Sequence, residues 1–172
     1  MSHVSRTALR RTATWMSAAA LAMGATLALA PAANALPSTG VIEVFKVGSS
    51  EVNVTGTDSA ENVLVQTIGG KLQFVRNSGP SISAGNGCTK LAVNVVECPG
   101  TIVTIRIDLF GGDDKAQNDT SIFTGMFGGR GADRVIGGPG ADKLVGGLDG
   151  DDAQGRGGID SCIAETESSC EK

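Results

Sequence analysis

An all-β fold follows from three features of the chain. Short β-branched runs, separated by Gly, Asn, Ser and Pro, fill residues 36–107. A Gly- and Asp-rich period of nine residues fills residues 128–163. No stretch beyond residue 35 carries the 3.6-residue apolar stripe of an amphipathic helix.

The chain has 172 residues. Residues 1–35 read as a secretory signal peptide. Arg6, Arg10 and Arg11 form its basic start, Trp15–Ala30 its apolar run, and Ala33-Asn34-Ala35 an A-x-A cleavage site. Small residues follow an apolar run shorter than the ~20 residues a membrane span needs. The product is therefore expected to begin at Leu36 and to be secreted, extracellular and free of any membrane span. Leu36-Pro37-Ser38-Thr39-Gly40 matches a sortase sorting motif. It lacks the following hydrophobic stretch and basic tail, and reads as coincidence.

Removing residues 1–35 removes the only His, His3, and the only Trp, Trp15. Ser–His–Asp, Cys–His and HExxH chemistries are thereby excluded from the exported chain. Eleven basic and eighteen acidic residues remain, for a net charge of about −7. That sign, with few aromatics, argues against nucleic acid as a partner.

Residues 36–107 are predicted to form a β-rich N-terminal part. Its candidate strands are Val41–Val47, Val52–Thr55, Val63–Gln66, Leu72–Val75, Leu91–Val96 and Ile102–Leu109. In the last, Val103, Ile105, Ile107 and Leu109 alternate with Ile102, Thr104, Arg106 and Asp108, so one set can face a core. Phe45, Phe74, Phe110, Phe123 and Phe127 are expected to be core or cap residues. Cys88, Cys98, Cys162 and Cys170 allow three pairings. Spacing favours the local pairs Cys88–Cys98 and Cys162–Cys170. An even count without His or C-x-x-C reads as disulfides in an exported domain rather than as a metal site.

Composition changes near residue 108. Residues 36–107 carry five acids and five bases, whereas residues 108–172 carry thirteen acids and six bases. Fifteen glycines lie between Gly111 and Gly158. Rows of nine starting at Gly128, Gly137, Gly146 and Gly155 bring Asp133, Asp142, Asp151 and Asp160 to the sixth place. Val135, Leu144, Ala153 and Cys162 fill the eighth. Glycines at places one, two and four, among them Gly129, Gly131, Gly138 and Gly140, permit positive φ and leave carbonyls free to point into a turn. The sixth-place Asp adds a hard anionic oxygen. Calcium takes six to eight such oxygens at about 2.3–2.6 Å.

These rows resemble the RTX, or hemolysin-type, calcium-binding repeat G-G-x-G-x-D-x-U-x. The rows at Gly128 and Gly137 match every defined place. The third departs at Asp149-Gly150 and the fourth at Arg156. The resemblance implies a parallel β-roll, or β-solenoid, with two rows per coil and Ca2+ between stacked turns. It pairs Asp133 with Asp151 and Asp142 with Asp160. Asp149 either distorts its site or adds a ligand. Gly111-Gly112-Asp113-Asp114 resembles one more turn, with Asp114 as a ligand, if Asn118–Phe127 absorbs one extra residue. Gly56–Val63 is a fainter echo, read as a metal-free rung.

The chain thus divides into a signal peptide (1–35), a β-rich part or solenoid cap (36–107), the nonapeptide-repeat β-roll (108–163) and a polar tail clipped by a disulfide (164–172). The expected function is calcium binding by a secreted, non-enzymatic protein. Carboxylates about 5 Å apart repel by roughly 0.8 kcal/mol in water and 3 kcal/mol at an effective dielectric of 20. The repeats are therefore expected to fold as they bind ions. The alternative is a calcium-rigidified structural or adhesive module at a cell surface or in a matrix. Asp113-Asp114 and Asp151-Asp152 do not suggest a catalytic dyad, because neighbours on a strand face opposite ways.

Overall fold

The computed structural model describes residues 40–171. The expected signal peptide, its cleavage site and all but Gly40 of the sorting-like motif lie outside the described residues. Residues 40–171 lie within one compact unit. They contain fifteen strands and no helix.

The first strands are β1 (Val41–Val47), β2 (Glu51–Thr57), β3 (Asn62–Ile68) and β4 (Lys71–Ser78). Next come β5 (Ser81–Ala84), β6 (Thr89–Ala92), β7 (Val95–Cys98), β8 (Thr104–Phe110) and β9 (Lys115–Asn118). The remainder are β10 (Phe123–Arg130), β11 (Arg134–Ile136), β12 (Lys143–Leu148), β13 (Asp152–Gln154), β14 (Ser161–Ile163) and β15 (Thr166–Ser168).

They form two mixed sheets. One has the order β14-β12-β10-β8-β2-β1-β5, the other β15-β13-β11-β9-β3-β4-β7-β6. From β2 and β3 onward the chain alternates between the sheets, one strand in each, and every new strand pairs parallel to the one before it in its sheet. Residues 71–98 interrupt this alternation. There β4, β7 and β6 extend the second sheet by antiparallel pairing, while β5 joins the edge of the first beside β1. Both sheets run unbroken across residue 108, where the composition changes.

Inward residues of both sheets make one core. The N-terminal part supplies Ile42, Val44, Val52, Val54, Val63, Val65, Phe74, Ile82 and Val96. The later strands supply Ile105, Ile107, Leu109, Ala116, Met126, Val135, Leu144 and Ala153. At the C-terminal end the core closes with the small Ala153 and with Cys162, which packs on the cluster only partly buried.

Three expectations are corrected. The run Leu91–Val96 is not one strand. It breaks at Val93-Asn94 into the β6–β7 hairpin, because Leu91 and Val93 face solvent and have no core to reach. The alternation assigned to Ile102–Leu109 holds only from Thr104. Before the strand starts its phase reverses, with Ile102 buried and Val103 exposed. Among the five phenylalanines only Phe74 is fully buried. Phe45, Phe110 and Phe127 are half-buried and Phe123 is exposed, because alternation on β10 turns Thr124 and Met126 inward.

The bonds Cys88–Cys98 and Cys162–Cys170 are both formed. They fit an oxidising, extracellular-type environment. Among the described residues no helix is long and apolar enough to cross a membrane.

Candidate metal centre

Parallel pairing sets the turns of successive coils one above another. The turn after β10 stacks under the turn after β12 with an 18-residue offset, as Gly129 pairs with Gly147 and Arg134 with Asp152. The β8 and β10 coils differ by 19 residues, the extra residue lying between β9 and β10. Through the inserted strands, the β2 coil lies 53 residues from the β8 coil. One column of turns therefore collects residues 56–61, 109–114, 128–133 and 146–151. The opposite column collects the segments leading to Thr124, Asp142 and Asp160.

Each sixth-place acid points inward and is nearly sealed from water: Glu61, Asp114, Asp133, Asp142, Asp151 and Asp160 are each 2–3 % exposed. In the first column each acid after Glu61 accepts a hydrogen bond from the backbone amide of the acid one coil earlier. The Glu61 amide donates to Asp114 Oδ1 (2.7 Å), Asp114 to Asp133 (2.8 Å), Asp133 to Asp151 (2.9 Å) and Asp151 to Glu165 Oε2 (2.9 Å). The second column repeats the pattern. The Thr124 amide donates to Asp142 Oδ1 (2.8 Å), Asp142 to Asp160 (2.8 Å) and Asp160 to Glu171 Oε2 (2.7 Å).

These bonds use one oxygen of each carboxylate. The second oxygen, Oδ2, of Asp114, Asp133, Asp151 and Asp160 is buried without a hydrogen-bond partner. Asp142 differs. Its Oδ2 accepts the Gly138 amide of its own turn at 2.6 Å, and Asn118 Nδ2 approaches its Oδ1 at 3.5 Å. No donor meets either oxygen of Glu61 at hydrogen-bonding geometry. An unpaired buried carboxylate oxygen is costly, and a fully sealed one calls for a partner.

The glycines follow from this packing. Place one needs no side chain because the acid occupies that space. A Cβ on Gly128, Gly146 or Gly155 would collide with the carboxylate of Asp133, Asp151 or Asp160. None of these has positive φ, so the expected conformational reason does not apply at place one. Places two and four lie against carbonyls of the neighbouring coil. A Cβ on Gly129 would strike Phe110 O, on Gly131 Gly112 O, on Gly138 Thr120 O and on Gly140 Ser121 O. Positive φ is required at Gly129 and Gly131 but not at Gly138 or Gly140.

Burial is the main cause of raised acidity constants along both columns. Asp114 is pushed up from its ordinary 3.8 to about 8, with Glu61, Asp133 and Asp113 adding repulsion. Glu61 rises from 4.5 to about 7, and the nearby Thr57 hydroxyl and amide offset only part of that. Asp133 rises from 3.8 to about 6, helped by Asp151, Asp113 and Asp149. Burial also raises Asp142, Asp151 and Asp160. The protein alone thus does not stabilise the ionised form of these acids, which hold their protons to higher pH than free carboxyls.

Among the described residues, no three His, Cys, Asp or Glu side chains converge as a metal cage. What the turns offer is one free carboxylate oxygen per coil beside closely stacked backbone carbonyls. Asp149, with φ of 84°, sits at the rim, and its Oδ2 accepts the Gly131 amide at 3.2 Å. It bridges two turns. Asp113 does the same to the Ala132 amide at 3.0 Å. Asp113 is exposed beside buried Asp114, and Asp152 half-exposed beside buried Asp151.

Sequence reasoning missed three acids. Glu165 and Glu171 fall in the polar tail of the sequence, yet each ends a column. The turn shortens there, so their offsets of 14 and 11 residues hide them from an 18-residue rule. Glu61 lies in the segment read as a metal-free rung. Its signal was the spacing Gly56…Glu61…Val63, the same as Gly128…Asp133…Val135. No protein-family model, curated protein or solved structure matches the chain.

Proposed function

We propose that this chain is a secreted, non-enzymatic calcium-binding protein of the RTX type, a parallel β-roll whose stacked turns hold Ca2+ and complete their folding as they bind it. The observation that carries this reading is the run of buried, unpartnered Oδ2 atoms on Asp114, Asp133 and Asp151 in one column, with Asp160 in the other. Calcium suits them because it prefers anionic and carbonyl oxygens and tolerates irregular geometry, whereas magnesium demands a near-ideal octahedron. Those four aspartates would hold the ions together with turn carbonyls, and Asp113 and Asp149 would add charge at the rim. The bound ion supplies positive charge where the fold has buried negative charge. Binding free energy then becomes folding free energy.

The test is a calcium titration of residues 36–172 with disulfides intact, read by calorimetry and far-UV circular dichroism, with magnesium as control. Calcium-selective heat together with a gain of β signal is the expected result. No heat and a spectrum indifferent to chelator would overturn the reading.

One observation favours a second reading, a calcium-rigidified adhesive module. The outer face of the first sheet carries exposed Phe123 and Ile163 and half-buried Phe127, with Arg106 and Lys143 stacked on the Phe127 ring. Calcium-dependent retention on cell envelopes, lost in Phe123→Ser, would support it.

A further inference from the structure

The segment before the repeats holds an acid that the repeat pattern does not account for. Glu61 is 2 % exposed, and the Thr57 hydroxyl and amide approach its carboxylate without reaching hydrogen-bonding geometry at either oxygen. Its neighbour one coil on, Asp114, takes the Glu61 amide on Oδ1 and leaves Oδ2 buried and unpartnered. The two turns are in backbone contact: a Cβ on Gly112 would lie 2.6 Å from the Ser59 carbonyl carbon. Exposed Asp58 and Asp113 flank the pair, with Asp58 Oδ1 lying against Gly111.

Two buried carboxylates therefore lie on adjacent turns, with two exposed acids at the rim. The ion pairs among the described residues are Lys71–Glu97, Arg106–Asp108, Arg134–Asp152 and Arg156–Asp119, and none involves these four acids. Three sealed oxygens, two on Glu61 and one on Asp114, are the hard anionic donors that a divalent ion such as calcium prefers.

We propose that Glu61 and Asp114 form a calcium site outside the nonapeptide repeats, tying the N-terminal part to the repeat coils. This rests on the calcium reading above. The site's own sequence, Gly56-Thr57-Asp58-Ser59-Ala60-Glu61, has neither the second and fourth glycines nor the aspartate of the repeat. Glutamate reaches one methylene farther than aspartate, and Gly56 makes room for it, since a Cβ there would collide with Glu61 Oε2. A staple here would make calcium order both sides of a 53-residue separation.

Calcium stoichiometry of residues 36–172 and of Glu61→Gln, measured by calorimetry, tests this, with hydrogen exchange of residues 56–62 as a local readout. The expected result is one ion fewer per chain in Glu61→Gln, and calcium-induced protection of residues 56–62 in the wild type only. Should Glu61→Gln not fold, the surface double variant Asp58→Asn/Asp113→Asn serves instead, with a several-fold loss of affinity in one class of sites. Unchanged stoichiometry with residues 56–62 indifferent to calcium, while residues 128–163 still respond, overturns this site and leaves the repeat reading standing. Absence of calcium binding by the wild type overturns both.

Discussion

The N-terminal part and the repeat coils share the same two sheets but are held together differently. In the first, Ile42, Val44, Val52, Val54, Val63, Val65, Phe74 and Ile82 close a core of large branched and aromatic side chains. In the second, the later coils contribute Val135, Leu144 and Ala153, and share the interior with Asp133, Asp142, Asp151 and Asp160. Burying a Val or Leu side chain stabilises by about 1.5–3 kcal/mol, whereas an unpaired buried carboxylate destabilises. One architecture thus rests mainly on apolar burial at one end and shares its interior with buried carboxylates at the other.

The largest expected effect is on removing calcium. Strands β11 to β15 should lose hydrogen-exchange protection while β1, β4 and the parts of β2 and β3 outside residues 56–62 keep theirs. Uniform protection in chelator would erase the distinction. Phe74→Ala is the converse experiment. It should cost about 3–5 kcal/mol by leaving a cavity in the N-terminal core, and the loss, read by thermal unfolding, should be the same at all saturating calcium levels.

Two isosteric substitutions sharpen the comparison within the repeats. Asp142→Asn removes the acceptor that Gly138 uses, so it should cost about 1–3 kcal/mol even without calcium. Asp151→Asn keeps Oδ1 for the Asp133 amide and removes a buried charge. It should be neutral or stabilising in chelator and weaken calcium binding in titration. Equal behaviour of the two variants would show that the free oxygen has no special role.

A pH slope reads the same buried acids. Asp114, Glu61 and Asp133 have folded-state values raised to about 8, 7 and 6 from ordinary values of 3.8, 4.5 and 3.8. Between pH 4 and 8 the folded, metal-free chain therefore holds protons that the unfolded chain has released. Its stability should fall as pH rises through that window, being greatest below pH 4 for these groups. Denaturant midpoints at pH 5 and pH 8 in chelator check the sign. Saturating calcium should remove the slope, because the ion replaces the proton.

The legible parts were those with a local cause. The run Val41–Val47 is β1 to the residue, because alternation and turn residues at its end suffice. The inward eighth place of Val135, Leu144 and Ala153 was legible for the same reason. The strand Ser81–Ala84 was not, being too short and too polar to stand out before it found an edge beside β1. The Leu91–Val96 split was equally hidden, since solvent exposure of Val93 is a property of position.

By itself the sequence determined the nine-residue period, the sixth-place acids, the all-β class and the local cysteine spacing. All of these arise from contacts a few residues apart or from a strict repeat. Only the tertiary structure decided which acids stack and which oxygens remain free. Glu61 reaches Asp114 across 53 residues because β2 and β3 pair with β8 and β9 around the inserted strands β4 to β7. Glu165 and Glu171 close the columns because shortened turns bring them to the place a full row would fill. Register between sheets, which depends on the whole packed core, sets these contacts, and no local spacing encodes it.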